Sequence, residues 1–130
     1  MIFSESLKKN KDFQKVYKTG SSKANKYLVL YRLENGCQRN RIGISVSKKV
    51  GNSVVRHHMC RLIRESYRLN EELFLNGFDL VFVVRPQAKD RSFHEIQSAL
   101  LHLMKIQGLL IPEENAMEKS ENEKNINRND

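Results

Sequence analysis

Hydrophobic positions along the chain follow two rhythms, one of about 3.6 residues and one of two, and the switches between them predict six elements. Phe13, Val16 and Tyr17 recur at helical spacing behind an Asn or Asp cap candidate and stop at Gly20, so NKDFQKVYKTG reads as a short first helix. KYLVLYRL, Lys26 to Leu33, is rich in β-branched and aromatic residues and predicts a strand; the polar turn after it contains Asn35-Gly36, a strong hairpin signal. In RIGISVS, residues 41–47, the alternation is strict, with Ile42, Ile44 and Val46 facing one way and Gly43, Ser45 and Ser47 the other. A sheet face of small residues leaves room for something to lie on it, and an exposed or helix-covered face has the same appearance.

Asn52 or Ser53 then caps a longer helix, NSVVRHHMCRLIRESYR, that ends near Asn70. DLVFVVRP, Asp79 to Pro86, is a near-continuous apolar run of strand length, the pattern of a central strand buried on both faces. The last element opens with a capping box, Ser92 and Glu95, carries Phe93, Ile96, Leu100, Leu103 and Met104 at helical spacing, and stops at Gly108. Helix, strand, strand, helix, strand, helix, without internal repeats, gives an α+β class. Its most economical form is a two-layer α/β sandwich with helices packed on a mostly antiparallel sheet.

The periodicity stops at Pro112. From there PEENAMEKSENEKNINRND has almost no apolar residues and cannot bury enough surface to offset its ordering entropy. The chain therefore divides into one domain, residues 1–111, and an acidic, polar and disordered tail, residues 112–130. That division changes the charge picture. The 130 residues carry a net +8, but the tail holds six acidic residues against three basic ones, which leaves the domain with 20 Lys or Arg against 9 Asp or Glu, a net +11. A domain this basic attracts phosphate polymers at long range, and RNA, DNA and anionic membrane are the partner classes to weigh. Membrane is the weakest: no apolar run approaches the length of a spanning helix, and the opening MIFSESLKKN lacks the apolar core and cleavage site of a secretory signal. Cys37 and Cys60 do not form a close pair and are expected as free thiols in a reducing cytoplasm.

The helix at residues 52–70 carries the chemistry. At about 100° per residue, Val55, Met59, Leu62, Ile63 and Ser66 share one face while His57, Arg61, Arg64 and Arg68 line the opposite one. A merely solvated face mixes signs to form pairs at i, i+4, whereas this stripe has one sign, with Glu65 only at its border. Like charges in a row call for an anionic partner. A zinc site is disfavoured, because His57 and His58 are neighbours that point about 100° apart and no two ligand types stand at Cys-x-x-Cys or His-x-x-x-His spacing. His94 and His102 fit a core-flanking or surface role. Nothing pairs a nucleophile with a base, and there is no Gly-rich phosphate loop or carboxylate cluster, so no residue is assigned as catalytic.

Across RIGISVSKKVGNSVVRHHMCRLIRESYR, residues 41–68, the sequence resembles the protein subunit of bacterial ribonuclease P. That family has a strand ending in Ser-Lys-Lys, a Gly-containing turn, and a helix patterned Arg-Asn-Arg-x-x-Arg-x-x-Arg-Glu. Lys48, Lys49, Gly51, Arg56, Arg61, Arg64 and Glu65 match; the first helix and YLVLY are similar too and in the same order, so the resemblance covers about residues 7–107. His57 stands where the family has Asn, His58 where it has Arg, and Cys60 where it usually has Lys, so this helix lacks up to two formal charges at neutral pH.

The resemblance implies a small basic protein that binds a large catalytic RNA and, with it, removes the 5′ leader of precursor transfer RNA by Mg²⁺-dependent hydrolysis. The RNA would carry the active site and hold most of the Mg²⁺. It implies contacts to the catalytic RNA by Lys48, Lys49, Arg56, His57, His58, Arg61, Arg64 and Arg68, and to the single-stranded leader by Phe13, Tyr17, Tyr31, Ser45 and Ser47. Aromatic rings stack on unpaired bases without demanding a sequence, although Phe13 and Tyr17, at i, i+4, would also serve simply to pack the first helix on the sheet. It further implies a left-handed crossover between parallel strands at residues 41–47 and 79–85, against the general right-handed rule. The residues themselves point to a cytoplasmic location and to no zinc or membrane partner, and no obligate protein partner is expected. Two other functions remain compatible with the residues: a general structured-RNA or ribosome-binding module, and, less well supported, a metal-dependent nuclease acting alone.

Overall fold

A computed structural model describes residues 4–112; the expected tail lies, apart from Pro112, outside the described residues. In chain order the elements are β1 (Ser4–Ser6), α1 (Asn10–Thr19), β2 (Ser21–Ala24), β3 (Leu28–Glu34), β4 (Asn40–Ser45), α2 (Ser53–Asn70), β5 (Phe78–Val84) and α3 (Phe93–Ile106), with short 3-10 turns at Glu71–Leu73 and Pro86–Ala88. The caps of α2 and α3 are those the sequence specifies, whereas α1 starts after Lys9 with no side-chain cap, and the candidate Asn10 and Asp12 lie inside its first turn. Asn52 accepts from the Val55 amide at 3.0 Å, and Ser92 and Glu95 form a reciprocal capping box.

The strands form one sheet in the order β1-β4-β5-β3-β2. β5 is its centre, parallel to β4 and antiparallel to β3 along its whole length, from Leu28↔Val84 to Glu34↔Phe78. Its apolar run thus serves both faces, as expected of a central strand. One expectation needs correction. The Asn35-Gly36 turn forms, with Gly36 at φ 70° and the Asn35 side chain accepting from the Cys37 amide at 2.8 Å, but it closes no hairpin, because β5 lies between β3 and β4. Most paired residues are antiparallel, along β3–β5 and β2–β3, while β1–β4 and β4–β5 are parallel. β5, apolar but for Asp79, is buried by pairing on both sides, and sequence periodicity does not report such long-range pairing.

The hand of the β4-α2-β5 crossover follows from residue chirality. The Ile42 carbonyl accepts from the Leu7 amide, on the β1 side, while the Ile42 side chain joins the cluster containing Met59, Ile63 and Leu100. For an L-residue this places β5 to the left of an upward-running β4 when viewed from the helices, so the connection is left-handed, as the resemblance implied.

The two sheet faces differ. α2 and α3 cover one, where Leu28, Leu30, Ile42, Leu80, Phe82 and Val84 pack with Met59, Ile63, Tyr67, Ile96, Leu100 and Leu103. On the other, α1 alone packs, through a fully buried Val16 against Val81 and Leu7, with Phe13, Tyr17, Tyr31 and Val83 only partly covered. At the β1 edge the buried Tyr67 hydroxyl joins Ser4 Oγ at 2.9 Å and Asn40 Nδ2 at 3.0 Å, and Asn40 in turn accepts from the Phe78 amide at 2.9 Å. This polar knot fastens α2 to β1, β4 and β5, and burial pushes the Tyr67 phenol above its ordinary value.

Candidate nucleic-acid interface

α2 separates its faces as its sequence demands. Met59, Ile63, Ser66 and Tyr67 are buried, and His57, His58, Arg61, Arg64 and Arg68 are exposed. Among the described residues no carboxylate lies within salt-bridge distance of Arg61 or Arg64. Arg68 is different: its Nε and Nη2 both donate to the Glu65 carboxylate, whose pKa falls mainly because of that contact. Arg56 also stands apart from the stripe, half-buried on its flank, with a secluded Nε that has no hydrogen-bond partner among the described residues. Lys48 and Lys49 are exposed in the tight turn closed by the Val50 amide and the Ser47 carbonyl at 3.1 Å, which connects β4 to α2. The replaced motif position Cys60 is half-buried, and desolvation raises its thiol pKa against the opposing pull of Arg64.

The opposite sheet face holds the second group. Phe13 and Tyr17, one turn apart on α1, have ring centroids 6.4 Å apart, and Tyr17 meets Tyr31 of β3 edge-on at 5.0 Å. All three rings are partly exposed, so each both packs α1 and keeps a surface open. The room left by Gly43 is taken: an added Cβ there would stand 2.6 Å from Phe13 Cε1, so the small residue seats α1 rather than a ligand. Ser45, at the end of β4, remains half-exposed, and Ser47 lies beyond the strand and is exposed.

α1 is held in place by charge as well as packing. Arg41 of β4 donates to the buried Asp79 of β5 through Nε at 2.8 Å and Nη2 at 2.6 Å, and its Nη1 lies 3.5 Å from Asp12 of α1. The bond to Asp79 is the main reason the guanidinium pKa rises. Sequence reasoning passed over this cluster because Arg41 and Asp79 are distant in sequence and become opposed only through the β4–β5 register.

The chain from Ser45 through Ser47, Lys48 and Lys49 to the start of α2 links the open sheet face to the basic helix. Among the described residues no three metal-ligating side chains cluster, and no helix is long and apolar enough to cross a membrane.

Comparison with known proteins gives consistent matches. The family model described as Ribonuclease P matches residues 2–107. The chain is 56% identical over 107 residues to the ribonuclease P protein component of Lachnoclostridium phytofermentans, covering 82% of this chain and 92% of that protein. It is 54% identical over 104 residues to that of Alkaliphilus oremlandii, covering 80% and 91%. Among solved structures, the Staphylococcus aureus RNase P protein superposes with a TM-score of 0.77 at 39% identity, over 83% of this chain and 99% of that one. The Thermotoga maritima RNase P protein does so with a TM-score of 0.73 at 32% identity, over 78% and 96%.

Proposed function

The chain belongs to the ribonuclease P protein family, and from its two surfaces we propose how it serves as the protein subunit of that enzyme. The subunit is part of a ribonucleoprotein endoribonuclease of transfer RNA processing, whose catalysis is carried by the RNA. The division of labour between its surfaces is our reading. α2, through Arg61, Arg64, His57 and His58 with Lys48 and Lys49 at its approach, holds the catalytic RNA, while Arg56 and Arg68 contribute from its flank and its Glu65 pair. The open sheet face, with Phe13, Tyr17, Tyr31, Ser45 and Ser47, holds the precursor's 5′ leader. The observation that supports this best is that Arg61 and Arg64 form no salt bridge among the described residues and stand on the side of the molecule opposite a half-exposed aromatic trio.

The chemistry fits both roles. Arginine binds phosphate oxygens whatever the base, and aromatic rings stack on any unpaired base, so both surfaces suit substrates that share a backbone rather than a sequence. Mg²⁺ is placed mainly on the RNA, and the cytoplasm is the compartment this work requires. Residues 1–111 form the working domain. The test is holoenzyme affinity for a precursor against mature transfer RNA. Replacing Tyr17 and Tyr31 by Leu is expected to weaken precursor binding by roughly fivefold or more per lost stack and to leave mature transfer RNA unaffected. Equal loss for both RNAs would remove the leader from this face.

A further inference from the structure

One large aromatic is used by neither surface. Phe93 opens α3 immediately after its Ser92 cap, and helical spacing groups it with the core, yet it packs against neither hydrophobic cluster although its side chain is half-buried. Its ring meets His94 edge-on at 5.7 Å and lines a groove of about 320 Å³ with His58, Arg61, Leu62 and Glu65. A second hollow, of about 450 Å³, shares His58 and Arg61 and is completed by Ser53, Val54 and His57. Val54 is 76% exposed, an apolar side chain on the basic side of the helix.

We propose that the groove between α2 and the start of α3 holds one unstacked base of the catalytic RNA, with the Phe93 ring as its platform. Arg61 and His58, common to both hollows, bind the phosphates on either side. This rests on α2 being the RNA-docking helix and adds a second kind of contact to it. The occupant follows from the chemistry of the walls. An aromatic face beside an arginine that forms no salt bridge accepts a π-system and a phosphate together, which is what an extruded nucleotide presents. Glu65 also lines the groove, but both of its oxygens accept from Arg68. His58 at the shared wall also gives this chain's departure from the family motif a position: an imidazole there can donate to phosphate and lie flat against a base.

The test uses the reconstituted holoenzyme with a benzophenone amino acid at position 93 and, separately, at position 64. The expected result is a crosslink from position 93 to one unpaired nucleotide of the catalytic RNA. Phe93→Leu should weaken assembly by roughly 5- to 150-fold, the range for loss of one base–aromatic stack, while Phe93→Tyr retains it and both variants keep the parent melting temperature. A crosslink from position 64 without one from 93 overturns the groove and leaves the docking helix intact; crosslinks from neither overturn both. A crosslink from 93 to the precursor's leader, or unchanged affinity in Phe93→Leu, also refutes it.

Discussion

The ring of Phe13 occupies the space a side chain on Gly43 would need: a Cβ there would lie 2.6 Å from Cε1 and Cζ and 3.2 Å from Leu7 Cδ2. The glycine thereby sets how closely α1 approaches the sheet and where its aromatic pair sits over the open face. Gly43→Ala should cost about 1–3 kcal/mol, the usual range for overpacking. It should also weaken leader binding by turning Phe13 outward. Chemical denaturation and precursor affinity, measured on the same variant, check both halves; unchanged values for both would separate Gly43 from the seating of α1.

Tyr67 ties α2 to β1 and β4 through one buried hydroxyl. Tyr67→Phe should lose about 1 kcal/mol near neutral pH, one net buried hydrogen bond. The pH dependence has a definite sign. Because the folded state holds this phenol's pKa above its ordinary value of about 10, the unfolded chain releases the proton first. The contribution is present below that value and falls as pH rises through it, so the gap between the parent and Tyr67→Phe should shrink above about pH 10. A gap that widens there would reverse the assignment.

Arg61 and Arg64 form no salt bridge among the described residues. If each binds a phosphate of the catalytic RNA, Arg61→Ala and Arg64→Ala should each reduce the slope of log affinity against log salt by roughly 0.7 to 0.9. Arg68→Ala should reduce it less, because that guanidinium is engaged by Glu65. Salt titrations of holoenzyme assembly make the comparison, and equal slopes for all three variants would count against it.

His57 and His58 are exposed on the same side as these arginines. His58→Arg restores the arginine of the family motif and should steepen the slope of log affinity against log salt by roughly 0.7 to 0.9. Holoenzyme assembly measured across salt concentrations checks it, and an unchanged slope would place position 58 away from phosphate.

Much of this was legible in the chain, and the exceptions share a reason. α2 and α3 announce themselves by caps and a 3.6-residue period, α1 by its period and the Gly20 stop, and β5 by its apolar run. β1 (Ser-Glu-Ser) and β2 (Ser-Ser-Lys-Ala) are short, polar and at the sheet edges, where strands need no apolar alternation, so no pattern betrays them. The Asn35-Gly36 turn is locally correct, yet its strands part to admit β5, a choice made by residues some forty positions later. At the candidate sites the basic stripe was readable from the helix wheel alone. The dual role of Phe13 and the departure of Phe93 from the core were not, because periodicity tells which face a residue occupies and not what stands opposite it.

Leader removal from a precursor transfer RNA at low Mg²⁺, with the catalytic RNA alone, the protein alone and the two together, shows whether this chain works as a ribonuclease P subunit. The expected result is efficient cleavage at the mature 5′ end only when both are present, with Arg61→Ala/Arg64→Ala impairing it. Cleavage by the protein alone, or no gain on mixing protein with RNA, would rule that role out.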